Sequence, residues 1–348
     1  MTPRLLVGAL RARLSHVPRP LALGFELTHR CNLDCAYCDR HRLLPNEMSY
    51  PQILTALEGF IALGMQEVSL DGGEPLTHPH LDELVRWLVE RKQVVRLNTN
   101  GILLRKNAHL VQSFSKIKVS LDGPPEVHDQ VRGLHAFRRA VEGIRLAQSL
   151  GVPVELTCVL GRHNADCVDD VVDIARLLRV GVVFQPARRS LVHDRVGPRE
   201  NLELDETRLR LALQRVEQHK HAGGPIANHW ASLRHFRRFP RDTSLPCAAG
   251  WINATLDPEG VLYHCGQVSR ADRSNNVVTL GAQAAFERLE RTGCPQCWCA
   301  RVVEENYLWG GYLGQFLPLS ALTRPRATGP STPLQRTGAF GQPRRICR

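Results

Sequence analysis

Cys31-Asn32-Leu33-Asp34-Cys35-Ala36-Tyr37-Cys38 follows at once on the apolar run Leu21–Thr28. Three thiolates at this spacing are one short of the four that saturate a [4Fe-4S] cluster, so one iron would keep an open position. An open position on a metal marks a reactive centre rather than a structural one. Short cysteine spacings also suit a zinc knuckle or a trio of reduced, buried thiols. The cysteines alone leave those alternatives open, and the surrounding sequence has to discriminate.

From Leu21 to about Ala187, short β-branched or apolar runs alternate with helical stretches, the pattern of parallel β/α units. Strands are expected at Leu21–Thr28, Glu67–Leu70, Val94–Asn98, Lys116–Leu121, Val152–Leu160 and Gly181–Gln185. Helices are expected around 50–63, 79–91, 106–114, 135–149 and 165–178, with Asn164 as the cap of the last. Six such units predict an α/β fold, a partial (β/α)6 barrel open on one side. In parallel barrels the reactive groups follow the C-terminal ends of strands. The first strand runs into the cysteine loop and the second into Asp71-Gly72-Gly73-Glu74-Pro75. The third ends in Asn98-Thr99-Asn100-Gly101, and the fourth in Ser120-Leu121-Asp122-Gly123 with Arg132 downstream. Each alone is a turn or cap signal; their order at successive strand ends carries the weight.

The chain here resembles the radical S-adenosylmethionine (SAM) superfamily. The signature C-x3-C-x2-C is met at Cys31, Cys35 and Cys38, with the usual aromatic, Tyr37, before the last cysteine, and Gly72-Gly73-Glu74-Pro75 matches the GGEP motif. The resemblance implies the same partial barrel, a [4Fe-4S] cluster on the three cysteines, and SAM chelating the open iron through its methionyl amine and carboxylate. One electron then splits SAM into methionine and a 5'-deoxyadenosyl radical, which abstracts hydrogen from substrate. It also implies cofactor contacts. The Gly72–Gly73 edge would meet the methionyl amine, and Glu74 that backbone or the ammonium. Ser120 and Arg132 would meet the ribose hydroxyls or the carboxylate, with Tyr37 and Asn100 completing the set. Asp122 is the candidate catalytic residue, by contact with substrate. His78 and His80 read as loop or capping residues, and Cys158 and Cys167 as a small buried side chain and a helix start. Cys347 lies in the tail.

A helix is expected at about 204–220, and after it the βαβ rhythm stops. The expected division is a basic extension 1–20, the barrel 21–225, a linker 226–246, an auxiliary domain 247–317 and a disordered basic tail 318–348. A hairpin should pair Ile252–Leu256 with Val261–Tyr263 across Pro258-Glu259-Gly260. Cys247, Cys265 (in a G-x4-C run from Gly260), Cys294, Cys297 and Cys299 resemble the auxiliary-cluster domains called SPASM and twitch. Five cysteines rather than seven fit the shorter, single-cluster twitch form. Four thiolates saturate one [4Fe-4S] cluster; Cys247, Cys265, Cys294 and Cys297 are assigned, with Cys299 as the alternate to Cys297. Structural zinc is the alternative at this site.

The net charge of +11 invites a nucleic-acid reading until it is located. Residues 1–20 hold four arginines and residues 318–348 six, neither with an acid, so only about +1 belongs to the rest. Arg234, Arg237, Arg238 and Arg241 form the one local basic cluster, read as a solvated face, so nucleic acid is not the expected partner. Leu5–Leu14 suits either an amphipathic helix on an anionic surface or a helix packed across the barrel end. No apolar run reaches a membrane span, and cysteines in metal-ligand spacing fit a reducing cytoplasm. Members of the resembled family with such domains oxidise small metabolites or modify peptides, and an electron donor such as flavodoxin or ferredoxin is implied. The auxiliary pattern and terminal Gly-Gly of a molybdenum-cofactor cyclase are absent. A non-enzymatic zinc or redox-responsive module and an RNA-modifying radical enzyme are the rival readings.

Overall fold

In a computed structural model, the described residues are 3–43, 46–187, 201–239, 245, 247–268, 270–291 and 297–309. Cys294, Arg241, Cys347 and the tail 318–348 lie outside them. A first helix, α1 (Pro3–Ser15), precedes six β/α units. These run β1 (Ala22–Thr28), α2 (Tyr50–Ala62), β2 (Glu67–Gly72), α3 (Leu81–Glu90), β3 (Val94–Thr99), β4 (Lys116–Ser120), α4 (Pro125–Arg132), α5 (Ala136–Ser149), β5 (Val154–Leu160), α6 (Val168–Leu178), β6 (Gly181–Pro186) and α7 (Glu206–His221). Then come α8 (Trp230–Phe236), a hairpin of β7 (Asn253–Leu256) and β8 (Leu262–Tyr263), and α9 (Val277–Leu280), α10 (Ala282–Glu287) and α11 (Ala300–Trp309).

The expected (β/α) barrel core is present, and local chemistry accounts for it. Ser49 and Gln52 form a capping box at the start of α2, which buries Ile53, Ala56, Leu57 and Phe60 at helical spacing. The α3 stripe Leu81, Leu84, Val85 and Leu88 does the same. In β1 the residues Leu23, Phe25 and Leu27 join that core. The alternate set Gly24, Glu26 and Thr28 turns to the other face, as the two-residue period of a strand requires.

Among the described residues the sheet has eight strands, in the order β6-β5-β4-β3-β2-β1-β7-β8. Neighbours are parallel from β6 through β7, and only β7 and β8 are antiparallel. The hairpin of the cysteine-rich region therefore does not stand apart. β7 pairs with β1 from Ala22↔Asn253 to Phe25↔Leu256, covering the edge that a six-stranded partial barrel would leave open.

Three local expectations are revised. The helix expected at 106–114 is a 3-10 turn, Ala108–Ser113, with only Leu110 and Val111 buried inside it. Asn164 does not cap the helix that follows; its Oδ1 accepts from Gly161 N–H and its Nδ2 donates to the carbonyls of Asp122 and Val159. The linker contains α8, and just before it Asn228 brackets the backbone of Phe184, sealing the β6 edge. α4 was not anticipated.

Candidate active site at the cysteine loop

Parallel strands put the cysteine loop, the GGEP turn and the ends of β3 and β4 at one end of the barrel. The glycines bind the first two together. Gly72 has φ +123°, and a Cβ there would lie 2.5 Å from the Thr28 carbonyl oxygen. A Cβ at Gly73 would lie 2.2 Å from the Arg30 carbonyl oxygen. Gly73 N–H donates to Thr28 O at 2.7 Å and Glu74 N–H to Arg30 O at 2.8 Å. The close approach these glycines allow is thus to the backbone that carries Cys31.

Glu74 is fully buried. Its Oε1 accepts from Thr99 Oγ1 at 2.8 Å and Leu76 N–H at 3.2 Å, and its Oε2 accepts from Asn100 N–H at 2.8 Å. Burial pushes its pKa up to about 7, against the pull of those hydrogen bonds. Asn100 in turn donates from Nδ2 to Asn32 Oδ1 at 2.9 Å, so the end of β3 is tied to the cysteine loop.

Tyr37, Asp122 and Arg132 form one buried unit. Arg132 donates from Nε to Asp122 Oδ2 at 2.6 Å and from Nη2 to Tyr37 Oη at 2.5 Å, while Tyr37 donates to Asp122 Oδ2 at 3.1 Å. The other Asp122 oxygen accepts from Val159 N–H, and Asp122 N–H donates to His128 Nδ1. Burial works to raise the Asp122 pKa, but the Arg132 guanidinium, then His128, outweigh it and hold the carboxyl below its ordinary value. Asp122 has no exposed surface, and its two oxygens are engaged by Arg132, Tyr37 and the Val159 N–H. Arg132 is likewise committed to these partners, and Ser120 is partly exposed on the concave face.

Cys31, Cys35 and Cys38 are thiols outside any disulfide. Cys31 Sγ accepts from Leu33 N–H at 3.4 Å. Burial pushes Cys35 up to about 11, Arg132 opposing and the neighbouring Cys38 and Cys31 adding to the rise. Burial raises Cys31 as well, and three mutually close thiols are the donor set a metal centre would deprotonate on binding, so the residues fit an iron-sulfur group.

The second set fits as well. Cys247, Cys265 and Cys297 line one cavity with His264 and Asn306, and Asn306 Nδ2 lies 4.0 Å from Cys247 Sγ and 3.6 Å from Cys297 Sγ. Burial pushes Cys265 up to about 12, with Cys299 and Cys247 raising it further, so Cys299 stands with this group. No three His, Cys, Asp or Glu side chains among the described residues converge on a point suitable for a single ion. His78 accepts at Nδ1 from His80 N–H, and burial pushes it down to about 4.

Several residues that tie the two sets together were not anticipated. Glu26 pairs with Arg40, just past Cys38, at 2.8 Å and with Arg270, just past Cys265, at 3.0 Å. Glu47 accepts from Thr28 Oγ1 at 2.6 Å and from His29 N–H at 2.8 Å. His29 Nε2 lies 3.4 Å from Glu259 in the hairpin turn. The Arg301 guanidinium of α11 comes within 3.4 Å of a Cβ built on Gly24. A carboxylate in the middle of an apolar strand, Glu26 in Ala22–Thr28, is the one signal of this that the sequence offers.

Comparison with known proteins agrees with this geometry. Residues 25–178 match the model of the radical SAM superfamily. The chain is 31% identical over 263 residues to the mycofactocin maturase MftC of Mycobacterium ulcerans, covering 71% of this chain and 68% of that one. It is 28% identical over 262 residues to a PqqA peptide cyclase of Ruegeria pomeroyi, covering 72% of this chain and 68% of that one. In fold it is similar to SuiB of Streptococcus suis bound to S-adenosylmethionine, with a TM-score of 0.62, 16% identity, and 78% of this chain and 66% of that one covered. The chain belongs to the radical SAM superfamily. It is a radical SAM enzyme whose cofactors are a [4Fe-4S] cluster and SAM.

Proposed function

We propose that this enzyme modifies a peptide, held over the concave face of the barrel between the cysteine loop and the second thiol group. The observation that carries this is the pairing of β7 on β1, which joins the hairpin that Cys247 precedes and Cys265 follows to the strand that leads into the cysteine loop. Relatives named for peptide chemistry, the PqqA peptide cyclase among them, supply the substrate class. SuiB, similar in fold, has also been solved with its precursor peptide SuiA. Between the two groups the concave face offers partly exposed Asp71, Asn98, Thr157 and Gln185, polar side chains suited to a peptide backbone.

In this reading Cys31, Cys35 and Cys38 hold the SAM-binding cluster, and Cys247, Cys265 and Cys297, with Cys294 or Cys299, hold the auxiliary one. When bound, cluster and SAM supply reductive cleavage to a 5'-deoxyadenosyl radical that takes a hydrogen atom from substrate. The chain's own residues position and exclude. Glu74 and Asn100 lock the GGEP turn and the β3 end to the cysteine loop, the Gly72–Gly73 edge and Ser120 face SAM, and Tyr37, Asp122 and Arg132 brace the loop from behind. A flavodoxin- or ferredoxin-type protein delivers the electron.

The test is anaerobic incubation of reconstituted full-length chain with SAM, reductant and the peptides encoded beside its gene. Release of 5'-deoxyadenosine, stimulated by one peptide and matched by loss of hydrogen mass from that peptide, is expected; Cys35→Ala should release none. Full SAM cleavage with every peptide unchanged and a small metabolite consumed would replace the peptide reading.

A further inference from the structure

α1 lies across the end of the barrel opposite the cysteine loop. Leu5, Ala9 and Ala12 are buried against Leu21, which leads into β1, and against Ala248 and Ile252, which lead into β7. The helix is apolar on its other side too. Leu6, Val7, Leu10 and Leu14, with Val17 just beyond, face solvent, Leu10 at 56% and Leu14 at 72% exposure. Among the described residues ten large apolar side chains are strongly exposed, and these are five of them; the others stand singly along the chain. At about 100° per residue the four helical ones fall within an arc of roughly 100°, a continuous stripe rather than scatter. Such a stripe marks a contact surface.

Its border says what it contacts. Arg4 and Arg11 are exposed and fall together beside the stripe, the first turn carries no acid, and residues 1–20 hold Arg4, Arg11, Arg13 and Arg19 without one Asp or Glu. A second copy of this chain would bring these arginines against their own kind with nothing to neutralise them. An anionic lipid surface answers both features, taking the leucines into the headgroup boundary and the guanidiniums among its phosphates. No helix among the described residues is long and apolar enough to cross a membrane, so α1 would lie in the interface.

We propose that α1 docks this enzyme onto an anionic phospholipid surface. Docked so, the barrel stands with its cysteine loop at the far end, open to partners from solution. The test is sedimentation of the full chain with vesicles of mixed phosphatidylglycerol and phosphatidylcholine, and with phosphatidylcholine alone. Binding to the anionic vesicles is expected, at least tenfold weaker without phosphatidylglycerol and weakened by salt. The double variant Leu10→Gln/Leu14→Gln should bind at least tenfold more weakly while keeping the wild-type melting temperature and SAM cleavage. Equal binding by wild type and variant, or no binding to anionic vesicles by either, would overturn the proposal. So would a stable wild-type dimer that the variant dissolves, since the stripe would then belong to a second copy.

Discussion

Glu74 is a carboxylate with no exposed surface, and three hydrogen bonds from Leu76, Thr99 and Asn100 are what make its burial tolerable. A glutamine keeps the shape but turns an NH2 group toward one of those donors. Glu74→Gln should therefore destabilise the protein by about 1–3 kcal/mol in urea unfolding and weaken SAM binding, with iron content near wild type. Unchanged SAM affinity would detach Glu74 from the cofactor site. His128 is the complementary case. It is 1% exposed, accepts from Asp122 N–H, and is pushed down to about 4 by burial and then by Arg132. Between pH 6.5 and about 4 the unfolded chain takes up a proton at this residue while the folded chain does not, so stability is lost as pH falls. Glu74 works the other way, because its raised pKa lets the folded state hold a proton the unfolded state releases. The comparison that isolates His128 is thus wild type against His128→Gln. Over that pH window the wild type should lose about 3 kcal/mol more than the variant; parallel pH curves would mean His128 titrates normally.

At the scale of elements, the GGEP turn acts as a backbone clasp. A methyl group at Gly73 would lie 2.2 Å from the Arg30 carbonyl oxygen, and backbone cannot yield as a side chain can. Gly73→Ala should cost about 1–3 kcal/mol and, by moving Arg30 and Cys31, lower iron incorporation, read by unfolding and iron assay. Gly64, where a Cβ meets nothing within 4 Å, shows the contrast: Ala there carries only the strain of φ +105°, with iron content unchanged. Periodicity made the six strands legible to within a residue or two, because parallel strands with helices on one side keep an apolar face. The triad and the glycines were legible because their chemistry sits in adjacent residues. Asp122 was not: nothing in Ser-Leu-Asp-Gly says that an arginine ten residues on will close over it. The Glu26–Arg270 pair spans 244 residues, and α4 begins at a Pro-Pro pair that reads as a turn. Tertiary contact decides such cases.

For the whole molecule, the consequence of β7 lying on β1 is that the two thiol groups share one frame. Glu26 in β1 holds Arg40 from one cysteine loop and Arg270 from the other, and Arg270 packs on the Tyr263 ring of β8 at 4.1 Å. The groups should nevertheless load independently, since each has its own thiols. Two [4Fe-4S] clusters amount to about eight irons per chain, and the Cys31/Cys35/Cys38 triple Ala variant should keep about four, blind to added SAM. Removing Cys247 and Cys265 should instead keep the SAM-responsive cluster. That second variant should also unfold more easily around the hairpin, because β7 and β8 have only four and two residues of strand and draw order from what their flanking thiols bind. Its melting should lose cooperativity while the triple variant's does not. Zinc at one equivalent and no iron in the triple variant would make the second group a structural clip, and the hairpin would then order the barrel edge without serving the chemistry.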